Sequence, residues 1–370
     1  MTYQQKHTDI AKLYKDHDYW INKMTTVCGW IQFYRSSGGK GKNIGFVKLK
    51  DGSCFQKLQI IFSEKDLSDD KKDYFNELYS KAKIGVSLQI TGLIVKSPAK
   101  GQPIEMIAHE YTIFGDIMDA HSYPISKNEL SLEFLRTIPH LRTRTDTCSG
   151  IMRIKSVLRL ALAEYFDMLG FYEVQIPCIT DNECESGANA FKVTTILNDD
   201  LLKDKKIDYS KDFFKGSRYL TVSGQLHLEA CVLGSLCKAW CMTTAFRAEP
   251  SLSPLHLAEF MMAELEFCFC TLEDNIKVNE GCVKYCLKKI LEKCGDELEF
   301  FQSKYKPGLI EKLQRYVDNP FIVTTHEECV KQMLFDIESG KVTINPDKKA
   351  GDDIHVFKEI PKYDDDFSKD

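Results

Sequence analysis

No apolar run in the 370 residues is long enough to cross a bilayer, and the polar opening Met1-Thr-Tyr-Gln-Gln-Lys-His7 is not expected to be a signal peptide. CxxC pairs are missing as well. The fourteen cysteines are scattered, and Cys237/Cys241, Cys268/Cys270 and Cys282/Cys286 have no histidine partners at zinc-site spacing. No metal site is therefore expected, and the thiols read as reduced, mostly buried groups of a cytoplasmic protein that has no membrane partner. An excess of positive charge is also lacking, since the net charge is -5. What is present is ordinary for a globular protein: 43% hydrophobic and 28% charged residues, in a chain with room for two or three domains.

The distribution of charge is more informative than its sum. Residues 29–60 carry Arg35, Lys40, Lys42, Lys48, Lys50 and Lys57 against Asp51 alone. Residues 136–159 carry Arg136, Arg142, Arg144, Arg153, Lys155 and Arg159 against Asp146 alone. Such blocks suit an RNA backbone, and solvated surface lysines explain many of them equally well.

The chain is organised around Phe246-Arg-Ala-Glu-Pro-Ser-Leu-Ser-Pro-Leu-His-Leu-Ala-Glu-Phe-Met-Met-Ala-Glu-Leu-Glu266. A mostly apolar strand from Cys237 to Phe246 leads in, Pro250 and Pro254 bracket a turn, and a second strand returns. Period-two alternation puts Phe260, Met262, Glu264 and Glu266 on one face and pairs Arg247 with Glu249 on a face of the incoming strand. A guanidinium suits a phosphate, an aromatic can stack on a base, and a carboxylate can hold an ammonium. The four steps from Phe260 to Glu264 span about 13 Å at ~3.3 Å per residue. That is the reach of an adenosine phosphate joined to an amino acid; a hairpin with surface ion pairs is the plainer alternative.

Before this hairpin, residues 1–25 read as a polar appendage with one short helix. Strands are expected at Thr26–Tyr34, Gly45–Lys50, Gln56–Phe62, Val86–Val95 and Glu105–Phe114, with a helix over Ser68–Lys83 capped by Ser68. Five strands with a helix between the third and fourth is the layout of an OB-fold barrel, here residues 26–116. Residues 117–135 read as a linker. A helix over Ile151–Leu169 has apolar residues at 154, 157, 158, 161, 162, 165 and 169, with Gly170 as its C-terminal stop, and Phe171–Pro177 follows as a strand. Leu272–Cys294 reads as a further helix.

The hairpin resembles motif 2 of the class II aminoacyl-tRNA synthetases, most closely of the asparaginyl-tRNA synthetases, in Phe246-Arg-Ala-Glu249 and His256-Leu-Ala-Glu-Phe260. Leu220-Thr-Val-Ser-Gly-Gln-Leu-His-Leu-Glu-Ala230 matches the asparaginyl form, where aspartyl enzymes have Ser-Pro-Gln-Leu. The helix, Gly170, strand and Pro177 are similar to motif 1, and Gly45-Phe-Val-Lys-Leu-Lys-Asp-Gly-Ser53 with Leu58-Gln-Ile60 to the anticodon-binding barrel. The resemblance runs from about Val27 to about Asp353. It implies an α+β chain, with a five-stranded OB-fold β-barrel followed by the class II antiparallel sheet flanked by helices, the catalytic domain occupying residues 136–350.

The resemblance also implies a function: ATP-dependent activation of asparagine and its transfer to tRNA(Asn). It implies ATP and Mg2+ as cofactors, and a homodimer through motif 1. By the same resemblance Arg247, Glu249 and His256 are catalytic and, with Phe260, bind ATP. Glu185, Ser223, Gln225 and Glu264 would hold the amino acid; Arg35, Phe46, Gln59 and Glu105 would read the anticodon. Read without the resemblance, Phe46 is equally a barrel core residue.

Several positions depart from the pattern. Ser186, Asn189 and Ala190 replace a glycine, a glutamate and a methionine in the loop over the amino acid, and Leu252 and Leu255 replace an asparagine and an arginine. Neither the acidic magnesium-binding strand nor the Gly-x-Gly-x-x-x-Arg of motif 3 occurs in these residues. A C-terminally incomplete catalytic domain, inactive by itself, is the resulting expectation, with an acidic and poorly ordered tail at 351–370. An aspartyl-tRNA synthetase and a non-catalytic paralogue binding tRNA or asparagine are the alternatives.

Overall fold

The computed structural model describes residues 6–37, 44–63, 74–119, 123–125, 130–182, 184, 190–196, 208–250, 256–346 and 355–364. Met1–Leu313 and Gln314–Asp370 form two compact units.

The first unit opens with helices α1 (Ile10–Lys15) and α2 (His17–Trp20), then strands β1 (Met24–Ser37), β2 (Ile44–Lys50) and β3 (Leu58–Ser63), helix α3 (Asn76–Lys81), and strands β4 (Ser87–Lys96) and β5 (Ile104–Gly115). The strands close into a barrel in the order β1-β2-β3-β5-β4, with β3 and β5 parallel through Ile60↔Met106. Alternation decides the inside: Val47 and Leu49 of β2, Leu58, Ile60 and Phe62 of β3, and Leu88, Ile90 and Ile94 of β4 are fully buried. Gly45 is required because a Cβ there would sit 2.2 Å from the Phe62 ring. All five expected strands are present: β1 and β5 extend further at both ends, β2 starts one residue earlier, β3 starts two residues later, and β4 is shifted by one residue. The helix expected over Ser68–Lys83 is seen as α3; its expected cap Ser68 lies outside the described residues.

The N-terminal stretch is not a detached appendage. Ile10 and Leu13, one turn apart on α1, are fully buried in the barrel's apolar cluster, and the Ile10 N–H donates to Asp51 Oδ2 at 2.7 Å. Two apolar side chains in a polar stretch give too little periodicity to reveal this from sequence. Each fully buried side chain of this kind contributes about 1.5–3 kcal/mol.

Helix α4 (Leu132–Thr137) and a 3-10 turn at Arg142–Arg144 lead to the long helix α5 (Asp146–Met168). It starts five residues earlier than expected, with Thr145 as N-cap accepting from the Cys148 N–H. Its first turn buries Thr147, Cys148, Ser149 and Gly150, so polar and small residues, not an apolar stripe, mark that end. Gly170 follows with φ +76, the left-handed stop expected of it.

Next come short strands β6 (Tyr172–Glu173), β7 (Ile179–Thr180), β8 (Lys192–Val193) and β9 (Arg218–Leu220), helix α6 (Gln225–Cys231), and the hairpin β10 (Lys238–Phe246) and β11 (Glu259–Phe267). Of the strand expected over Phe171–Pro177 only β6 forms, pairing in parallel with Ala239 and Trp240 of β10. Helix α7 (Leu272–Lys293), started by a Thr271–Asp274 capping box, packs on α5 through Leu158, Leu162, Phe166, Cys282 and Cys286. Helices α8 (Gly295–Lys304) and α9 (Leu309–Asp318) follow.

In the second unit, helix α10 (His326–Glu338) has a Thr325–Glu328 capping box, and strand β12 (Thr343–Ile344) pairs in parallel with β13 (Val356–Phe357). Part of the expected tail is thus paired strand.

Candidate active site and nucleic-acid interface

The hairpin register fixes the site. Ala239, Cys241, Thr243 and Ala245 of β10 stand opposite Glu266, Glu264, Met262 and Phe260 of β11, so the four pairs share one face. The β10 members are small and buried, which leaves the space above them to the long β11 side chains. At the open end the Arg247 N–H donates to Ala258 O, and its guanidinium lies 5.6 Å from the Phe260 ring centroid. Glu249 and His256 are both exposed. Leu252 and Leu255 lie outside the described residues.

The floor comes from the segment between β9 and α6. The Phe246 N–H donates to Thr221 O, tying this segment to the hairpin. Ser223 Oγ donates to Glu264 Oε1 at 2.5 Å, and the Gly224 N–H donates to Oε2 at 2.9 Å. Cys241 Sγ stands 3.7 Å from the same carboxylate. A Cβ on Gly224 would fall 2.9 Å from Cys241 Sγ and 3.0 Å from Glu264 Oε2, so only glycine permits this approach. Gln225 turns its amide to Glu229, Nε2 to Oε1 2.9 Å.

Electrostatically the floor is acidic. Burial pushes the Glu266 carboxyl above its ordinary range, and Glu229 and Glu264 push it further the same way. Burial also raises the Cys241 thiol to about 11, with Glu264 adding to the effect. A cationic ammonium would relieve this crowding, while the Gln225–Glu229 pair offers both an amide and a carboxylate to a polar side chain.

The structure therefore brings together Ser223, Gln225, Glu264, Phe260 and Arg247. Glu185, expected over the amino acid, lies outside the described residues; its neighbour Cys184 approaches Gln225 Oε1 at 3.9 Å. Sequence reasoning missed Cys241, whose place opposite Glu264 follows only from the hairpin register. Glu229 is a second such residue, since its pairing with Gln225 is visible only in the structure. Among the described residues no cluster of three or more His, Cys, Asp and Glu side chains is set to hold a metal.

On the barrel, Phe46 belongs to the outward set of β2, between buried Gly45 and Val47, and is not in the core. Its cross-strand partner Arg35 lies 4.8 Å over the ring. On β3 the Gln59 amide donates to Glu105 Oε2 at 3.1 Å, and Ser97 Oγ donates to the same oxygen at 2.9 Å. An aromatic, a guanidinium and a pinned amide–carboxylate pair on one barrel suit an unstacked base.

Residues 131–366 match the model of the family described as tRNA synthetases class II (D, K and N), and residues 25–114 match that of the OB-fold nucleic acid binding domain. The chain belongs to the class II tRNA synthetases. It is 40% identical over 317 residues to the asparagine--tRNA ligase of Treponema denticola, a match covering 83% of this chain and 65% of that protein. Identity to the enzyme of the same name from Borreliella burgdorferi is 37% over 315 residues, covering 84% and 65%. The chain thus spans just under two thirds of the length of these curated relatives. The asparaginyl-tRNA synthetase of Pyrococcus horikoshii, solved with asparaginyl-adenylate, superposes with a TM-score of 0.72 at 24% identity, over 94% of this chain and 70% of that one. That of Entamoeba histolytica gives 0.69 at 23%, over 94% and 68%. These two likenesses show the fold of this chain: an OB barrel followed by a class II sheet with helices.

Proposed function

We propose that this synthetase chain serves the ATP-dependent activation of asparagine and its transfer to tRNA(Asn), in the cytoplasm. The carrying observation is the Ser223–Gly224 clasp on Glu264, placed beside the Gln225–Glu229 pair and in line with Phe260 and Arg247 along one hairpin. Glu264 takes the substrate ammonium, and Gln225 with Glu229 meets the carboxamide. Phe260 stacks the adenine and Arg247 holds the α-phosphate. The asparagine carboxylate attacks the α-phosphorus, the bond to pyrophosphate breaks, and the resulting adenylate passes its acyl group to the tRNA terminal ribose, releasing AMP. These residues position and stabilise charge; none becomes covalently attached.

Relatives named asparagine--tRNA ligase at 36–40% identity support this reading. Magnesium is the expected companion of ATP, but the described residues offer it no cluster, and no step is assigned to it. Phe46, Arg35, Gln59 and Glu105 contact the anticodon. A homodimer through α5 and β6 fits the exposed Ile151, Leu160, Met168 and Tyr172 on those elements.

Binding is the direct test of these contacts. Calorimetry with non-hydrolysable sulfamoyl analogues of asparaginyl- and aspartyl-adenylate should favour the asparaginyl form by about a hundredfold or more, because a carboxylate would face the Glu229 oxygen. Comparable affinity for the two analogues would remove the asparaginyl reading.

A further inference from the structure

Apart from Arg35, which stands on the anticodon face, the two basic blocks of the sequence have no place in the sites described so far, and they meet at one cavity. Between the barrel and the start of α5 lies a cavity of about 470 Å³. The first block contributes Trp30 and Lys50, the second Arg144, Met152, Arg153 and Ser156. Three cations line it, and among the described residues none of its lining side chains is a carboxylate.

The cations are held in place from behind. Lys50, with only 4% of its side chain accessible, donates to Asp146 Oδ1 at 2.5 Å and to Ser149 Oγ at 3.3 Å. Arg153 uses Nε on Glu297 Oε1 at 2.5 Å and Nη1 on Gly52 O at 3.3 Å, while its buried Nη2 makes no hydrogen bond. Arg144 donates through Nη1 to the Tyr123 hydroxyl at 2.8 Å and lies 5.2 Å over the Trp30 ring. Two carboxylates, Asp146 and Glu297, thus answer three lining cations, and Lys57 at 2.8 Å draws further on Asp146. Burial lowers the basicity of Lys50, with Lys57 and Arg153 adding to that effect against Asp146, so an anion in the cavity would favour its charged form.

We infer that this cleft is a binding site for a phosphate group, supplied either by a free phosphate or by an RNA backbone. A phosphate has several acceptor oxygens for donors arriving from different sides, whereas a carboxylate has two. Trp30 and Met152 give an apolar wall against which the rest of a nucleotide can lie. The site is separate from the hairpin and does not depend on adenylate chemistry there.

Trp30 is its own reporter. The 370-residue protein is titrated at constant ionic strength with inorganic phosphate and with a tRNA transcript, following tryptophan emission. Ser156 is exposed on α5, so Ser156→Glu places a carboxylate at the cleft without disturbing a core, and Ser156→Gln is its neutral control. The expected result is a saturable emission change that Trp30→Phe removes. Ser156→Glu should weaken it by about tenfold or more, and Ser156→Gln and Arg247→Gln should leave it intact. Asn279→Glu on exposed α7 controls for bulk charge in the RNA arm. Weakening in the phosphate arm identifies a free phosphate as a ligand; weakening in the RNA arm alone identifies the backbone. Equal responses of wild type and Ser156→Glu in both arms, or no saturable response in either, overturn the inference. Because Arg247→Gln disables the hairpin and not the cleft, loss of the adenylate reading leaves this result standing.

Discussion

Lys50 Nζ and Asp146 Oδ1 lie 2.5 Å apart across 96 residues of sequence, joining the last residue of β2 to the first of α5. Lys57 holds the other oxygen of the same carboxylate at 2.8 Å. Burial alone would push the Asp146 carboxyl up; Lys50 and Lys57 outweigh it and hold the group below its ordinary range. Asp146→Asn should therefore leave Lys50 buried without a full counter-charge and destabilise the protein by about 3–5 kcal/mol. Pairing it with Lys50→Met should restore much of the loss, since both charges are then gone. Urea melts of the two single variants and the double variant decide this, and additive losses would mean that the pair is uncoupled.

The same contact sets an acid limit. A carboxyl depressed in the folded state adds stability above its unfolded value of about 3.9, and that stability is lost as pH falls through the folded value. Stability measured downward from pH 6 should fall less steeply below pH 4 in Asp146→Asn than in wild type. Identical slopes would show that Asp146 does not carry the acid response.

Ser223 is the more exposing test of the active-site reading. Its hydroxyl is one of the donors that hold Glu264, and a hydrogen bond to a charged group is worth about 1.5–3 kcal/mol. Ser223→Ala should weaken the asparaginyl-adenylate analogue by roughly ten- to a hundredfold, with melting little changed because the Gly224 N–H still holds the carboxylate. Unchanged affinity would mean that Glu264 is oriented by the backbone alone. Gly224→Ala should do more damage, since its Cβ collides with Cys241 and Glu264.

The barrel was legible because its signal is local: Leu88, Ile90 and Ile94 alternate within one strand, and each neighbouring strand repeats the pattern. The plug formed by Ile10 and Leu13 was not, because two apolar residues on one turn carry no period. The first turn of α5 was missed for a related reason: it packs through Thr147, Ser149 and Gly150, which read as surface. The clasp on Glu264 joins residues 41 apart, and the Lys50–Asp146 contact joins residues 96 apart. Both depend on tertiary placement that periodicity does not encode. The hairpin face itself was legible, since a strand's alternation survives whatever the turn does.

Phe46 separates a ligand surface from a core. It lies outside the buried core cluster with Arg35 over its ring, so Phe46→Ala removes a half-buried stacking platform without emptying the barrel core. Binding of a tRNA(Asn) transcript to the full chain should weaken by about 1–3 kcal/mol, with the melting curve nearly unmoved. A large fall in stability with unaltered RNA affinity would return Phe46 to a structural role.

Cys241 reads the site's interior. Alkylation needs the thiolate, and burial with Glu264 alongside raises this thiol to about 11, so at pH 8 almost none of it is ionised. Cys178, Cys237 and Cys270 are exposed and open to the reagent. Iodoacetamide at pH 8 followed by peptide mass mapping should modify those three early and Cys241 only after denaturation. Glu264→Gln removes the charge that opposes thiolate formation, so it should speed Cys241 labelling in the folded protein even though the residue stays covered by β11. Rapid labelling of Cys241 in the wild type would show that the hairpin face opens far more than its pairing with Glu264 allows, and the clasp formed by Ser223 and Gly224 could not then be a preorganised floor.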